Sequence, residues 1–218
     1  MEPVVESEEY KMRFVDAIGT EVKIEVNTIN RGVLGNPAML SLCNKAQELF
    51  GMFCETRTVP FGQLYGGKIV AALDRQHPRD LFDVMNLFEF SPYNEELKNG
   101  VLFCLLSSKR PFHELLNPAL IDQHRVLESQ FSGMTDQRFT YEMFETTRNQ
   151  LIDTVRTHLT SDDKAILLSF ANGEPMWINQ DFGSFPGVQW KLININKLKE
   201  NNPKKHNAQI KALEDVLR

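Results

Sequence analysis

Long apolar runs are missing from this chain. The longest, VLFCLL at 101–106, is a fraction of the roughly 20 residues that a membrane-spanning helix needs. No bilayer is therefore expected as a partner. The opening residues, MEPVVESEEY, are acidic, so a secretory leader is not expected either. Cysteine is scarce: Cys43, Cys54 and Cys104 form no CxxC pair and have no histidine at ligand spacing. They read as reduced, buried thiols of a cytoplasmic protein. The five histidines show no HxxxH or HExxH spacing, which argues against zinc. P-loop, GxGxxG and GxSxG motifs are all lacking. Positive charge is not in excess, and the net charge of −5 gives no global attraction to nucleic acid. There is no internal repeat and no low-complexity tract.

What is present divides into two parts. YKMRFVD and EVKIEVN alternate with period two around Gly19, which predicts a β-hairpin. In the second strand Val22, Ile24 and Val26 share one face, and Lys23, Glu25 and Asn27 share the other. Two strands alone are marginal in water, so the hairpin reads as a sheet with its partners missing. From Asn36 the spacing becomes helical. Asn36-Pro37 opens a helix over NPAMLSLCNKAQELFGMF (36–53), with Pro37 in its first turn.

Helices are also predicted over 65–75 and 79–89, broken at His77-Pro78, and over 94–108, apolar on most sides and so buried. A long helix follows at 140–159 behind Thr140. The next has Thr160 or Ser161 as N-cap and stops at Gly173. Helices around 188–198 and 204–217 end the chain. The fold class is α+β: a small antiparallel sheet at the N-terminus followed by a mostly helical body.

The chemistry-bearing residues concentrate at the 75–80 break. Lys68, Ala72 and Arg75 fall at i, i+4 and i+7, presenting an ammonium and a guanidinium to one region. Like charges side by side invite an anion between them, and a polyphosphate suits. The plainer reading is a solvated helix face. Asp80 lies in a first helical turn, where the helix dipole alone accounts for it. Arg79 and Asp83 form an i, i+4 pair worth a few tenths of a kcal/mol when exposed. Glu25 becomes a metal ligand only if other carboxylates join it. NNPKKH at 201–206 is a small basic cluster able to touch an RNA backbone, though a helix entry with exposed lysines explains it equally.

The pattern GGKIVAALDR…PRDLFDV resembles the EK-x-x-A-L…R…RDLYDL core of the AbiEii/AbiGii toxin family. These are nucleotidyltransferase-like proteins of bacterial type IV toxin–antitoxin and abortive-infection systems. Downstream, LTSDDKAILLSFANGEPMW and FPGVQWKLININKLKENNPKKHNAQIKALEDVL resemble the helical C-terminal end of that family. The strand VKIEVN resembles one that contributes a late acidic residue. The resemblance implies catalytic roles for Lys68, Asp80 and Glu25, and nucleotide contacts from Lys68, Arg75, Arg79 and Asp83. Lys68 would neutralise phosphates, Asp80 would orient Lys68 or the attacking hydroxyl, and Glu25 would assist the metal.

The same resemblance implies a nucleoside triphosphate substrate with Mg2+, an acceptor such as tRNA, and a cognate antitoxin as partner. It divides the chain into a partial nucleotidyltransferase-like domain at 1–90 and a helical C-terminal domain at 91–218. The family's Gly-Ser turn and D-x-D pair have no counterpart before Glu25. The chain is therefore expected to be truncated or split, and to need another chain for the missing N-terminal strands or to form a homodimer. The alternative is a non-catalytic module that binds antitoxin, RNA or a sister chain.

Overall fold

The computed structural model describes residues 11–25, 31–178 and 180–218. It divides into two compact units, 1–30 and 31–218. The first holds the expected hairpin, β1 (Lys11–Val15) and β2 (Glu21–Glu25), paired antiparallel with Phe14 opposite Val22 and Met12 opposite Ile24. The Asp16 carboxylate fixes the turn by accepting the Ile18 and Thr20 N–H groups at 2.9 and 2.8 Å. Those bonds, led by Thr20, hold the carboxyl below its ordinary range. Met12, Phe14, Val22 and Ile24 form one apolar face, and all four are exposed. Val26 and Asn27, the outer members of the two predicted faces, lie outside the described residues.

The second unit starts differently from expectation. Instead of one helix over 36–53, the chain forms β3 (Ala38–Ser41), a short α1 (Asn44–Phe50) and β4 (Glu55–Thr58). β3 and β4 pair antiparallel, Ser41 opposite Glu55, and the ladder extends to a Leu42 N–H bond with the Cys54 carbonyl. Ladder bonding on one side and Gly51, left-handed at φ 60°, on the other leave room for two helical turns only. No residue of α1 is buried. Cys43 and Cys54 flank it and are exposed; of the three thiols expected inside, only Cys104 is buried.

The predicted helices of the body appear as α2 (Phe61–Arg75, four residues longer at its start), α3 (Pro78–Phe90), α4 (Glu95–Leu106), α7 (Tyr141–Thr157), α8 (Ser161–Ala171), α9 (Pro186–Asn201) and α10 (Pro203–Leu217). Two short helices that were not predicted lie between α4 and α7: α5 (Phe112–Leu116) and α6 (His124–Val126), the latter running into a π-helical turn at Leu127–Phe131. Asn94 caps α4 and Thr140 caps α7, each accepting a backbone N–H three residues on. Thr160 and Asp163 close a reciprocal capping box on α8, which satisfies two otherwise orphaned donors.

α4 is the core helix, with Leu97, Val101, Phe103, Leu105 and Leu106 almost fully buried. α2 lies directly on it. Gly62, Gly66 and Gly100 permit this, because a Cβ on Gly66 or Gly100 would collide with the facing backbone. α3 and α7 pack on the other side of α2, through Leu81, Val84, Phe144 and Leu151. The elbow between α2 and α3 is thereby held from two directions.

Candidate functional site

α2 buries Ile69, Val70, Ala72 and Leu73 and leaves Lys68 and Arg75 at the surface beside α3. The elbow turns on Gln76, which ends α2 in the left-handed region (φ 49°) and is itself buried. His77 then caps α3 by accepting the Arg79 N–H at 3.2 Å, with Pro78 opening the helix. This geometry swings Asp80 and Asp83 back towards α2.

Two ion pairs result. The Lys68 ammonium donates to Asp83 Oδ2 at 2.6 Å, both side chains being a little over one-third exposed. Arg75 donates from Nε and Nη2 to the two oxygens of Asp80 at 3.0 and 2.8 Å. The second arrangement is a side-on fork, the geometry in which guanidinium and carboxylate bond best. The two like charges expected on one face of α2 are indeed there, and aspartates of α3 stand where an anion was expected.

Arg79 is exposed and makes no ion pair with Asp83 among the described residues. Asp80 contacts Arg75 rather than Lys68, so Asp83 is the carboxylate that orients the lysine. Glu25 ends β2 in the other unit, and its side chain lies outside the described part.

The residues that brace this elbow were not foreseen. Gln76 Nε2 donates to the Ala119 carbonyl at 2.8 Å, and its Oε1 accepts the Ile121 N–H at 3.0 Å and Arg148 Nη1 at 3.3 Å. Arg148 also donates to the Ile121 carbonyl at 2.8 Å and lies 5.1 Å from the Phe144 ring centroid. Its Nε is buried with no partner among the described residues. Gln123 adds a bond to the Arg75 carbonyl at 3.3 Å. A sequence signal for Arg148 existed: it follows Phe144 by four on the buried stripe Phe144–Arg148–Leu151–Val155, where a cation is costly without partners.

Chemically, the elbow offers the partly exposed Lys68 ammonium, the exposed Arg75, whose Nη1 makes no hydrogen bond among the described residues, and the exposed Arg79. That set handles phosphate oxygens by charge and by forked hydrogen bonds. It does not fit magnesium. Both Asp80 oxygens accept from Arg75, and Asp83 Oδ2 accepts from Lys68. Among the described residues no group of three acidic, histidine or cysteine side chains is placed to hold a metal, whereas Mg2+ needs several oxygen ligands.

Elsewhere among the described residues, two lysines are buried. Lys98 pairs with Glu95 at 2.8 Å and Asp163 at 3.3 Å. Burial depresses its pKa, but the two carboxylates together outweigh that and raise it. Lys191 has no acidic partner among the described residues. No helix among the described residues is long and apolar enough to cross a membrane.

One protein-family model matches, over residues 3–194 of the 218: Nucleotidyl transferase AbiEii toxin, Type IV TA system. No curated protein and no solved structure matches the chain.

Proposed function

The chain belongs to the AbiEii family of type IV nucleotidyl transferase toxins, and from that premise we propose that the α2–α3 elbow is the phosphate-handling half of a nucleotidyl transfer site. The supporting observation is the pairing of Lys68 with Asp83 and Arg75 with Asp80 on two helices that meet at an open surface. Phosphoryl and nucleotidyl transfer rest mainly on positioning and charge neutralisation. Lys68 neutralises a phosphate as a point charge once Asp83 releases it. Arg75, held flat by Asp80, offers its remaining Nη1 edge, and Arg79 adds an exposed cation. The substrate is a nucleoside triphosphate and the acceptor an RNA end, taken as tRNA. A cognate antitoxin is the regulatory partner.

The family likeness points to Mg2+ with Glu25 as one contributor; the elbow, whose carboxylates are bonded to Arg75 and Lys68, does not fit it. Incubation with labelled nucleoside triphosphate, Mg2+ and total RNA tests the reading, alone and with a supplied D-x-D segment. Label transfer that survives Lys68→Ala unchanged defeats the assignment of roles.

The metal misfit favours a second reading, a binding module for antitoxin, RNA or a sister chain. Thermal unfolding with nucleotide and Mg2+ separates the two. A ligand at about 100 times its dissociation constant adds roughly 2.7 kcal/mol, and no shift at millimolar nucleotide favours the module.

A further inference from the structure

A cavity of about 170 Å³ lies between α5, α9 and α10, at the far end of α4. Apolar walls come from Pro111, Phe112, Ile195, Leu198, Ile210 and Leu213. Its volume is close to that of an engineered apolar cavity which accommodates one benzene ring, about 150 Å³. No acidic side chain lines it, although the chain as a whole carries a net charge of −5.

Its floor is cationic. Lys191 is 5% exposed and donates to the Leu105 carbonyl (3.0 Å), Ser108 Oγ (2.9 Å) and the Arg110 carbonyl (2.8 Å). The ammonium sits 3.9 Å from the Phe112 ring centroid. Its three N–H bonds are thus used, but no carboxylate among the described residues pairs with its charge. A buried cation without a counter-charge is an expensive arrangement. The rim continues the pattern. Lys109 is exposed with no ion pair among the described residues, and Trp190 stands beside the mouth at 47% exposure. Gln209 has no side-chain hydrogen bond among the described residues. Among the described residues the lining groups at the rim without a side-chain partner are therefore the Lys109 ammonium, the Trp190 indole, the Gln209 amide and the His113 imidazole, whereas Arg110 is paired with Asp74 and Glu114.

We infer that this cavity is a second ligand site, separate from the elbow, for a small organic anion built on one aromatic ring. The ring fills the apolar chamber above Lys191 and meets Trp190, and the anionic group meets Lys109 while supplying the counter-charge that Lys191 lacks. A carboxylate on a benzene ring and the phosphate of a pyrimidine nucleotide share this chemistry. A bare inorganic anion does not fill the chamber, and a neutral ring leaves the charge unanswered.

The test uses the full chain with four probes: benzoate, uridine 5′-monophosphate, benzamide and inorganic phosphate. Saturation-transfer NMR of the ring protons and the thermal midpoint are read for each, phosphate by midpoint alone. Benzoate binding alone identifies an aromatic carboxylate as the natural class, and uridine 5′-monophosphate binding alone identifies a nucleotide; either supports the site. Benzamide and phosphate bind at least about tenfold more weakly, the loss of one charge-assisted contact. Lys109→Gln and Trp190→Ala each weaken binding by about tenfold, and Lys68→Ala leaves it unchanged. The proposal is overturned if neither ring anion binds, or if benzamide binds as tightly as benzoate. It is equally overturned if binding survives both rim substitutions or disappears in Lys68→Ala. Loss in Lys68→Ala alone places the anion at the elbow.

Discussion

Asp83 Oδ2 holds the Lys68 ammonium at 2.6 Å across the groove between α3 and α2. Both groups are more than one-third exposed, so solvent screens the pair and its worth to folding is below about 1 kcal/mol. Lys68→Met and Asp83→Asn should therefore shift the urea midpoint little. Their effects on phosphate should be opposite: Lys68→Met removes the cation, and Asp83→Asn frees it. Nucleotide titration followed calorimetrically should weaken in the first and tighten in the second. Equal weakening in both would mean that the pair serves only to hold α2 and α3 together.

Gln76 and Arg148 carry a different kind of prediction, about stability. Gln76→Ala leaves the Ile121 N–H and the Ala119 carbonyl without their partner, a cost of about 1–3 kcal/mol. It also keeps a side chain at φ 49°. Gln76→Gly loses the same bonds but removes the left-handed penalty of about 1 kcal/mol. Urea unfolding should place Gln76→Gly above Gln76→Ala and below the unmodified protein. A glycine variant no more stable than the alanine variant would show that the backbone there is unstrained.

The difference between these residues and Lys68 explains what the sequence could tell. Lys68 and Arg75 share a helix face, which the i, i+4, i+7 spacing reveals without any tertiary knowledge. That aspartates of α3 would neutralise them depends on the elbow angle, set by Gln76 in a conformation usually reserved for glycine. No local pattern announces that. The caps at Thr140 and Thr160 and the proline at 78 marked their helices because each satisfies or removes an orphaned backbone donor. β3 and β4 escaped because four residues each are too few to alternate visibly, and ETRT has no apolar face to bury. The helical spacing of Leu, Ala and Phe from 36 to 53 then outweighed it, although none of α1 is buried.

Backbone contact between α2 and α4 gives the most severe single substitution expected. Gly66 faces the backbone of Gly100 and Val101, and Gly100 faces that of Gly62 and Gln63. A methyl group at either position meets the main chain of the facing helix and cannot be absorbed by a rotamer change. Gly66→Ala and Gly100→Ala should each cost at least the about 1–3 kcal/mol typical of overpacked cores. Gly67→Ala, one residue away, meets only the Cys104 sulfur at 4.0 Å and should be neutral or slightly stabilising as a helix interior residue. Thermal midpoints of the three variants, compared side by side, check the packing directly.

Lys191 should leave a signature in the pH dependence of stability. Burial pulls its folded-state pKa well below the ordinary lysine range, whereas the unfolded value is near 10.4. Between the two, the unfolded chain binds more protons than the folded one, so this residue makes stability rise with pH, by at most about 1.4 kcal/mol per pH unit. Cys104 acts in the opposite sense, since burial pushes its thiol up to about 12 and the unfolded thiol ionises first. Lys98 has a raised pKa, so its contribution is complete below the unfolded lysine value and is lost only as pH climbs above it. Comparing the unmodified protein with Lys191→Met from pH 7 to 10 cancels Cys104 and leaves Lys98 silent. Urea unfolding should then show the unmodified, unliganded protein gaining on the variant towards the alkaline end of that range, as the folded ammonium, held cationic near neutrality by the three bonds it donates, gives up its proton ahead of the unfolded one. A constant difference across that range would mean that the three hydrogen bonds keep Lys191 protonated throughout, its charge sustained by the carbonyls at the end of α4.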